Sequence, residues 1–349
     1  MTRRTACTVA GVAVVVLAGL LAFVHVPYAV RGPGPVCNTL GEPTRSCPTK
    51  GGQPLLISVP AADDHPSASV LALTTVSELN DEPSAATALW YWLEPSHAIV
   101  PREVVHPPGV SQQQTEKQDT QDMQVAQDNS VVTAESALHL AHAKVASVSP
   151  GSPAAGVLKV GDLLLTVNGT QVWNAGQLAA AVQHGTAATA YALTVRRGSA
   201  TMTVTLHKAQ VDGALRLGVG LTTDLSVPVT VNLDPNTIGG PSAGLMFALG
   251  VYDRLTPGNL AGTAVRVAGT GTIDPTAGAV GPIGGIQQKM YAARHDFHAR
   301  VFLAPLGDCG DVLGAIPKGL IVAAVSTFDQ ALSVLAKVKA GQLSDLPHC

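Results

Sequence analysis

From about Thr133 to Lys208 the sequence reads as short strands separated by turns, with one helix. Val145–Val148 reads as a strand, and the run PGSPAAG that follows supplies a turn and a short helical piece. GDLLLTVNGTQV is a strand broken at Asn168-Gly169, a hairpin signal because both residues tolerate positive φ. Asn174 can cap a helix in which Leu178 and Val182 recur at i, i+4. AYALTVRRG and ATMTVTLHK then close as a hairpin around Arg197-Gly198. These short strands, turns and one helix set off a small β-rich module over residues 133–208.

The pattern V.PGSPA..G.L..GD.L..VNG resembles a PDZ domain. The resemblance implies a partly open β-barrel that takes up a peptide as an added strand beside one helix. There is no glycine between Ala134 and Val145, so the loop that usually cradles a terminal carboxylate is not recognisable there. Specificity for C-termini is left open, and the alternative is a module that only shapes access to its neighbour.

At 349 residues the chain has room for two or three domains. Apolar residues make up 46% and charged residues 13%, with a formal charge of −3, so no basic surface suits a nucleic acid. From Thr5 to Val30 there is no Asp, Glu, Lys or Arg, and Arg3 and Arg4 precede the stretch. About 20 apolar residues cross a bilayer, so residues 1–31 are expected to form an uncleaved single-pass anchor. The rival signal peptide lacks an Ala-x-Ala-like site near Val26. Positive-inside bias places the N-terminus in the cytoplasm and the rest outside the cell membrane, with Arg31 weakening the asymmetry.

Cys37, Cys47, Cys309 and Cys349 suit an oxidising exterior. Three pairings are possible, of which Cys37 with Cys47 and Cys309 with Cys349 needs the shortest loops; four buried thiols are the other reading. RGPGP reads as a stiff exit from the anchor, and PLLISVP and SVLALTTVS as strands. Ser111–Ser130 is so polar that it is expected to be an exposed helix or a connector without catalytic pattern.

Gly240-Pro241-Ser242-Ala243-Gly244 spells G-x-S-x-G, the pattern that exposes a nucleophilic serine. The strand-like PVTVNL precedes it and the apolar SAGLMFALGVYDRL follows as a buried helix, so Ser242 sits near a helix N-terminus. Free N–H groups there can hold an oxyanion, with Gly240, Pro241 and Ala243 shaping the loop. The downstream histidines His295, His298 and His348 serve poorly as the base, and HDFH reads as a solvated helix end, not a metal site. Lys289 is the better candidate. It follows Gly284-Gly285 on a helix where Ile286 and Ala293 lie three and four residues from Lys289, and Met290 lies four and three from the same two, on neighbouring parts of one face. Burial among them lowers a lysine pKa, and a neutral amine can take the serine proton.

GGPSAG, followed 47 positions after its serine by the lysine of PIGGIQQK, resembles the Ser–Lys proteolytic domain of Lon proteases. With the anchor and the PDZ-like module, the chain is similar to the membrane-anchored, PDZ-containing Lon-like serine peptidases. That resemblance implies an α+β fold: a Lon-type proteolytic α/β domain over 209–341, a PDZ-like β-barrel over 133–208, an N-terminal α/β segment over 32–132 packing with the peptidase domain, a transmembrane helix over 1–31 and a tail over 342–349. It implies Ser242 as nucleophile, Lys289 as general base, and Thr270, placed by aligning Gly271 and Ile273, as the residue bonding the amine. It also implies protein or peptide substrates and hexameric rings. Lon commonly carries an acidic residue three positions before the serine, where this chain has Gly239. No G-x-x-x-x-G-K-[ST] loop occurs, so no ATP and no other cofactor is expected, and substrates should be unfolded segments. Two rivals stand beside this reading: an α/β-hydrolase-like esterase using His348, and a non-catalytic PDZ scaffold at the membrane.

Overall fold

The computed structural model describes residues 11–12, 16, 19–78 and 82–349. Much of the anchor expected over 1–31 lies outside the described residues. Among the described residues, no helix is long and apolar enough to cross a membrane.

In chain order the first part comprises β1 (Tyr28–Asn38), β2 (Ile57–Ser58), β3 (Val70–Glu78), α1 (Ala85–Trp92), β4 (Ala98–Pro101), α2 (Arg102–Val105) and α3 (Gln112–Ala137). A second sheet follows with β5 (Ala141–Val148), β6 (Leu163–Val167), β7 (Thr170–Gln171), α4 (Ala175–Gln183), β8 (Ala190–Arg197), β9 (Ala200–His207), β10 (Ala209–Val211), β11 (Ala214–Arg216) and β12 (Val219–Leu225). The chain then returns through β13 (Thr230–Val231), α5 (Gly244–Leu255), β14 (Arg266–Gly269), β15 (Thr272–Asp274), β16 (Ala279–Gly281), α6 (Ile286–His295), β17 (Val301–Pro305), α7 (Cys309–Val312), β18 (Ile321–Val325) and α8 (Phe328–Lys339).

The main sheet has the order β18-β17-β14-β3-β1-β4. Its first four strands are parallel, and β1 runs antiparallel to both β3 and β4. Side chains alternate across a strand, so a sheet covered on both faces needs apolar residues at consecutive positions. Leu71, Leu73, Val267, Leu303 and Val325 pack on one face with Phe247 and Leu249 of α5 and Phe328 and Leu335 of α8. Ala72, Ala268, Phe302 and Val322 pack on the other with Ile286, Met290 and Ala293 of α6. Disulfides Cys37–Cys47 and Cys309–Cys349 close two loops of this domain.

Three differences from the sequence reading have clear causes. Tyr28–Arg31, assigned to the anchor, pair with β4, and Ala29 and Val30 are buried. Their apolarity therefore belongs to the sheet, and RGPGP lies within β1 rather than forming an exit. Second, the polar segment from Ser111 is the start of a long helix, not simply an exposed one. Met123, Ala126, Gln127, Ser130, Val131 and Ala134 form a buried stripe at helical spacing, packed against α5. Gln127 satisfies its amide by donating to the Leu233 carbonyl at 2.8 Å, so the stripe tolerates polar letters.

Third, the small sheet reaches past Lys208. Its order is β12-β5-β6-β8-β9, with β12 antiparallel to β5 from Val219↔Val148 to Leu225↔Ala141. Leu164, Leu178, Tyr191, Leu193, Val195 and Leu206 fill its core. The Asn168-Gly169 turn takes φ of 49° and 83°, and Asn174 caps α4 by accepting from the Gln177 N–H.

Candidate active site

The turn before Ser242 is held by backbone contacts that need glycine. Gly240 has φ 83° and donates its N–H to the Asp119 carbonyl of α3 at 2.8 Å. A Cβ on Gly239 would lie 2.7 Å from the Asp119 Cβ, so this position has no room for a side chain. Ser242 then anchors to the strand end beside it: its carbonyl accepts from the Gly271 N–H at 2.8 Å and from the Thr270 hydroxyl at 3.0 Å. Helix α5 begins two residues later, with Leu245 donating to the Gly271 carbonyl.

Lys289 enters from α6, which starts after Gly285 in the left-handed region at φ 69°. Its Nζ lies 2.9 Å from Ser242 Oγ and 3.2 Å from Thr270 Oγ1. The Thr270 hydroxyl has one proton, and the Ser242 carbonyl takes it. Thr270 Oγ1 therefore accepts from the amine, which turns the lysine lone pair toward Ser242 Oγ. Lys289 is 2% exposed and Thr270 is fully buried. Burial pushes the Lys289 pKa down to about 7; the Arg31 guanidinium adds to the effect and the Asp308 carboxylate opposes it. A buried amine that is half neutral near pH 7 can accept a proton from the hydroxyl it touches.

Of the loop groups expected around an oxyanion, Gly240 has spent its N–H and Pro241 has none. The N–H groups of Ser242 and Ala243 donate to no acceptor among the described residues. They stand at the N-terminal end of α5, where the helix dipole favours negative charge.

Two cavities flank Ser242. One of about 500 Å³ is lined by Arg31, Glu78, His106, Glu116, Asp119 and Lys289 among others. The second, of about 450 Å³, lies along Thr74–Glu78 with Met123, Ile238 and Ala243. Strand β14 pairs with β3 only from Val70 to Leu73, so among the described residues the edge of Thr74–Glu78 on that side has no strand partner, and this segment lines the cleft. None of His295, His298 and His348 lines either cavity; His295 stacks on Tyr291 and His348 bridges to Ala323 of β18.

The structure thus brings together Ser242, Lys289 and Thr270. It adds residues that the sequence reading missed. Arg31 in the sequence reads as a flank of the apolar stretch, and Asp308, whose carboxylate accepts from the Ile283 N–H, carries no local signal. Asp119 sits in a polar helix with no catalytic pattern.

Residues 144–197 match the PDZ domain family model, so the chain contains a PDZ domain. Among solved structures, the chain is similar to the PDZ domain of the SdrC-like protein from Listeria monocytogenes, with 20% identity over 23% of this chain and 86% of that one, at a TM-score of 0.22. It is also similar to the PDZ domain of the SdrC-like protein from Listeria innocua, with 18% identity over 23% of this chain and 92% of that one, at a TM-score of 0.22. A third is the second domain of a Listeria protein, with 20% identity over 24% of this chain and 83% of that one, at a TM-score of 0.21. No curated protein matches the chain.

Proposed function

We propose that this protein is an ATP-independent serine endopeptidase that cleaves flexible protein segments with a Ser242–Lys289 dyad. The observation that carries the reading is the 2.9 Å approach of a buried, desolvated Lys289 Nζ to Ser242 Oγ, with Thr270 orienting the amine. In the reaction, Lys289 takes the Ser242 proton as Oγ bonds to the substrate carbonyl carbon. The oxyanion that forms is met by the Ser242 and Ala243 N–H groups. The lysine ammonium then protonates the leaving amine as the C–N bond breaks. Water repeats the sequence on the acyl-enzyme, with Lys289 again the base.

An extended peptide completes the unpaired edge of Thr74–Glu78 and reaches Ser242 in strand form, while the two cavities take side chains on either side of the scissile bond. Only unfolded segments fit this mode. The PDZ domain supplies protein or peptide recognition, and its edge strand β12 lies beside α4, with the Ala175 N–H donating to Thr223 Oγ1 at 3.2 Å. Gly218 and Gly220, at the start of that strand, provide the glycines that the sequence before β5 lacks. The uncharged stretch that precedes β1, from Thr5 to Pro27, and the two disulfides support a single-pass anchor with the disulfide-bearing domain outside the cell membrane.

The test is hydrolysis of casein or a fluorogenic peptide by the purified chain and by Ser242→Ala. Complete loss of turnover with retained folding supports the assignment. Full residual turnover in Ser242→Ala overturns it.

A further inference from the structure

A cation beside a lysine that must be neutral, and at the start of the helix that carries it, is locally unfavourable twice over. The helix N-terminus already presents positive potential, and like charges repel. Arg31 occupies this position. Its guanidinium donates through Nε and Nη2 to one oxygen of Glu78, at 3.0 and 2.7 Å. Its Nη1 has no acceptor among the described residues and lies 3.4 Å from where a Cβ on Gly284 would be. A Cβ on Gly285 would lie 3.0 Å from Arg31 Cδ and 2.6 Å from Val76 Cγ1. The two glycines that open α6 thus leave the space that Arg31 fills. The Gly285 carbonyl accepts the Lys289 backbone N–H, so Lys289 follows one helical turn after the glycine that Arg31 covers, and both side chains line the same cavity. Arg31 and Glu78 are both partly buried, with 18% and 28% of their side chains exposed.

We propose that Arg31 is a positioning residue of the dyad, laid over Gly284-Gly285 so that its charge keeps the Lys289 amine in the form that accepts a proton. The inference rests on Lys289 being the base. Among the described residues, six charged or titratable groups face the amine or its cleft: Arg31 from β1, Glu78 from β3, His106 after α2, Glu116 and Asp119 from α3, and Asp308 after β17. Arg31 and Asp308 act on Lys289 in opposite directions, with Arg31 favouring the neutral form. Glu78 moderates Arg31 by pairing with it.

The experiment is a pH titration of Lys289 by NMR in the full chain labelled with [13Cε]lysine, its signal assigned by its loss in Lys289→Met. In Arg31→Gln the midpoint should rise by roughly half to one pH unit. Peptide hydrolysis at pH 6.5 should fall a few-fold and recover at pH 9. Arg31→Lys keeps the charge and should leave the midpoint near that of the unaltered protein, while Glu78→Gln should move it down. An Arg31→Gln midpoint that does not move overturns the proposal, as does a Glu78→Gln shift in the same direction as that of Arg31→Gln. The midpoint is read without turnover, so a protein that fails to hydrolyse peptides is distinguished from one in which Arg31 does not act on Lys289.

Discussion

Replacing Lys289 with methionine should abolish hydrolysis and make the folded protein more stable at neutral pH. The amine is 2% exposed, and burial holds its pKa at about 7 instead of 10.5. That difference of 3.5 units corresponds to roughly 5 kcal/mol between the limits. At pH 7 the folded lysine is half protonated and the unfolded one fully protonated, so about 4 kcal/mol of the penalty applies there. Methionine gives up the contacts with Ser242 Oγ and Thr270 Oγ1, roughly 1 kcal/mol each, leaving a net gain of about 2 kcal/mol. Between pH 7 and 10.5 the folded state binds fewer protons than the unfolded state, so the stability of the unaltered protein rises with pH across that window. The penalty is fully present below pH 7 and gone above 10.5, and the advantage of Lys289→Met should shrink accordingly. Urea unfolding of the purified protein at pH 7 and pH 9, with disulfides intact, measures this. A Lys289→Met variant no more stable at pH 7, or an unaltered protein whose stability falls between the two pH values, would refute the reasoning.

Thr270→Val removes the hydroxyl that bonds both the Ser242 carbonyl and Lys289 Nζ, so kcat should fall roughly 10- to 100-fold with little change in KM; an unchanged kcat counts against its orienting role. Gly239→Ala forces a Cβ to within 2.7 Å of the Asp119 Cβ and should cost about 1–3 kcal/mol in unfolding experiments while slowing hydrolysis; a neutral effect would mean the Asp119 contact does not hold the turn. Hydrolysis should proceed equally with and without ATP and magnesium, because no phosphate loop occurs in the sequence; a strict nucleotide requirement in the purified chain would contradict this.

What could be read from the sequence followed from local rules. Gly240 and Ser242 announce a turn into a helix, and Lys289 stands out because a charged residue interrupts an apolar helical face. The Asn168-Gly169 hairpin and the Asn174 cap are legible as turn chemistry, while the PDZ reading comes from resemblance to the wider pattern V.PGSPA..G.L..GD.L..VNG. What escaped depends on pairing between distant segments. Arg31 meets Glu78 across two strands 47 residues apart, so nothing near it in sequence shows that it faces the cleft. Ala29 and Val30 look alike whether lipid or a sheet covers them. In α3, Gln127 and Ser130 occupy the buried stripe because they bond backbone carbonyls, which hides the stripe from any reading of hydrophobic letters. Strand β12 joins the PDZ sheet after an intervening hairpin, so its Gly218 and Gly220 are displaced from where a PDZ pattern would seek them.

The central claim is that Lys289 activates Ser242 for covalent attack. Intact-mass and peptide-mapping analysis after treatment with a fluorophosphonate tests it most directly. The account predicts a single adduct on Ser242 whose rate of formation rises with pH through about 7 and which is abolished in Ser242→Ala and nearly so in Lys289→Met. Absence of the adduct at alkaline pH, or equal labelling in Lys289→Met, would contradict it.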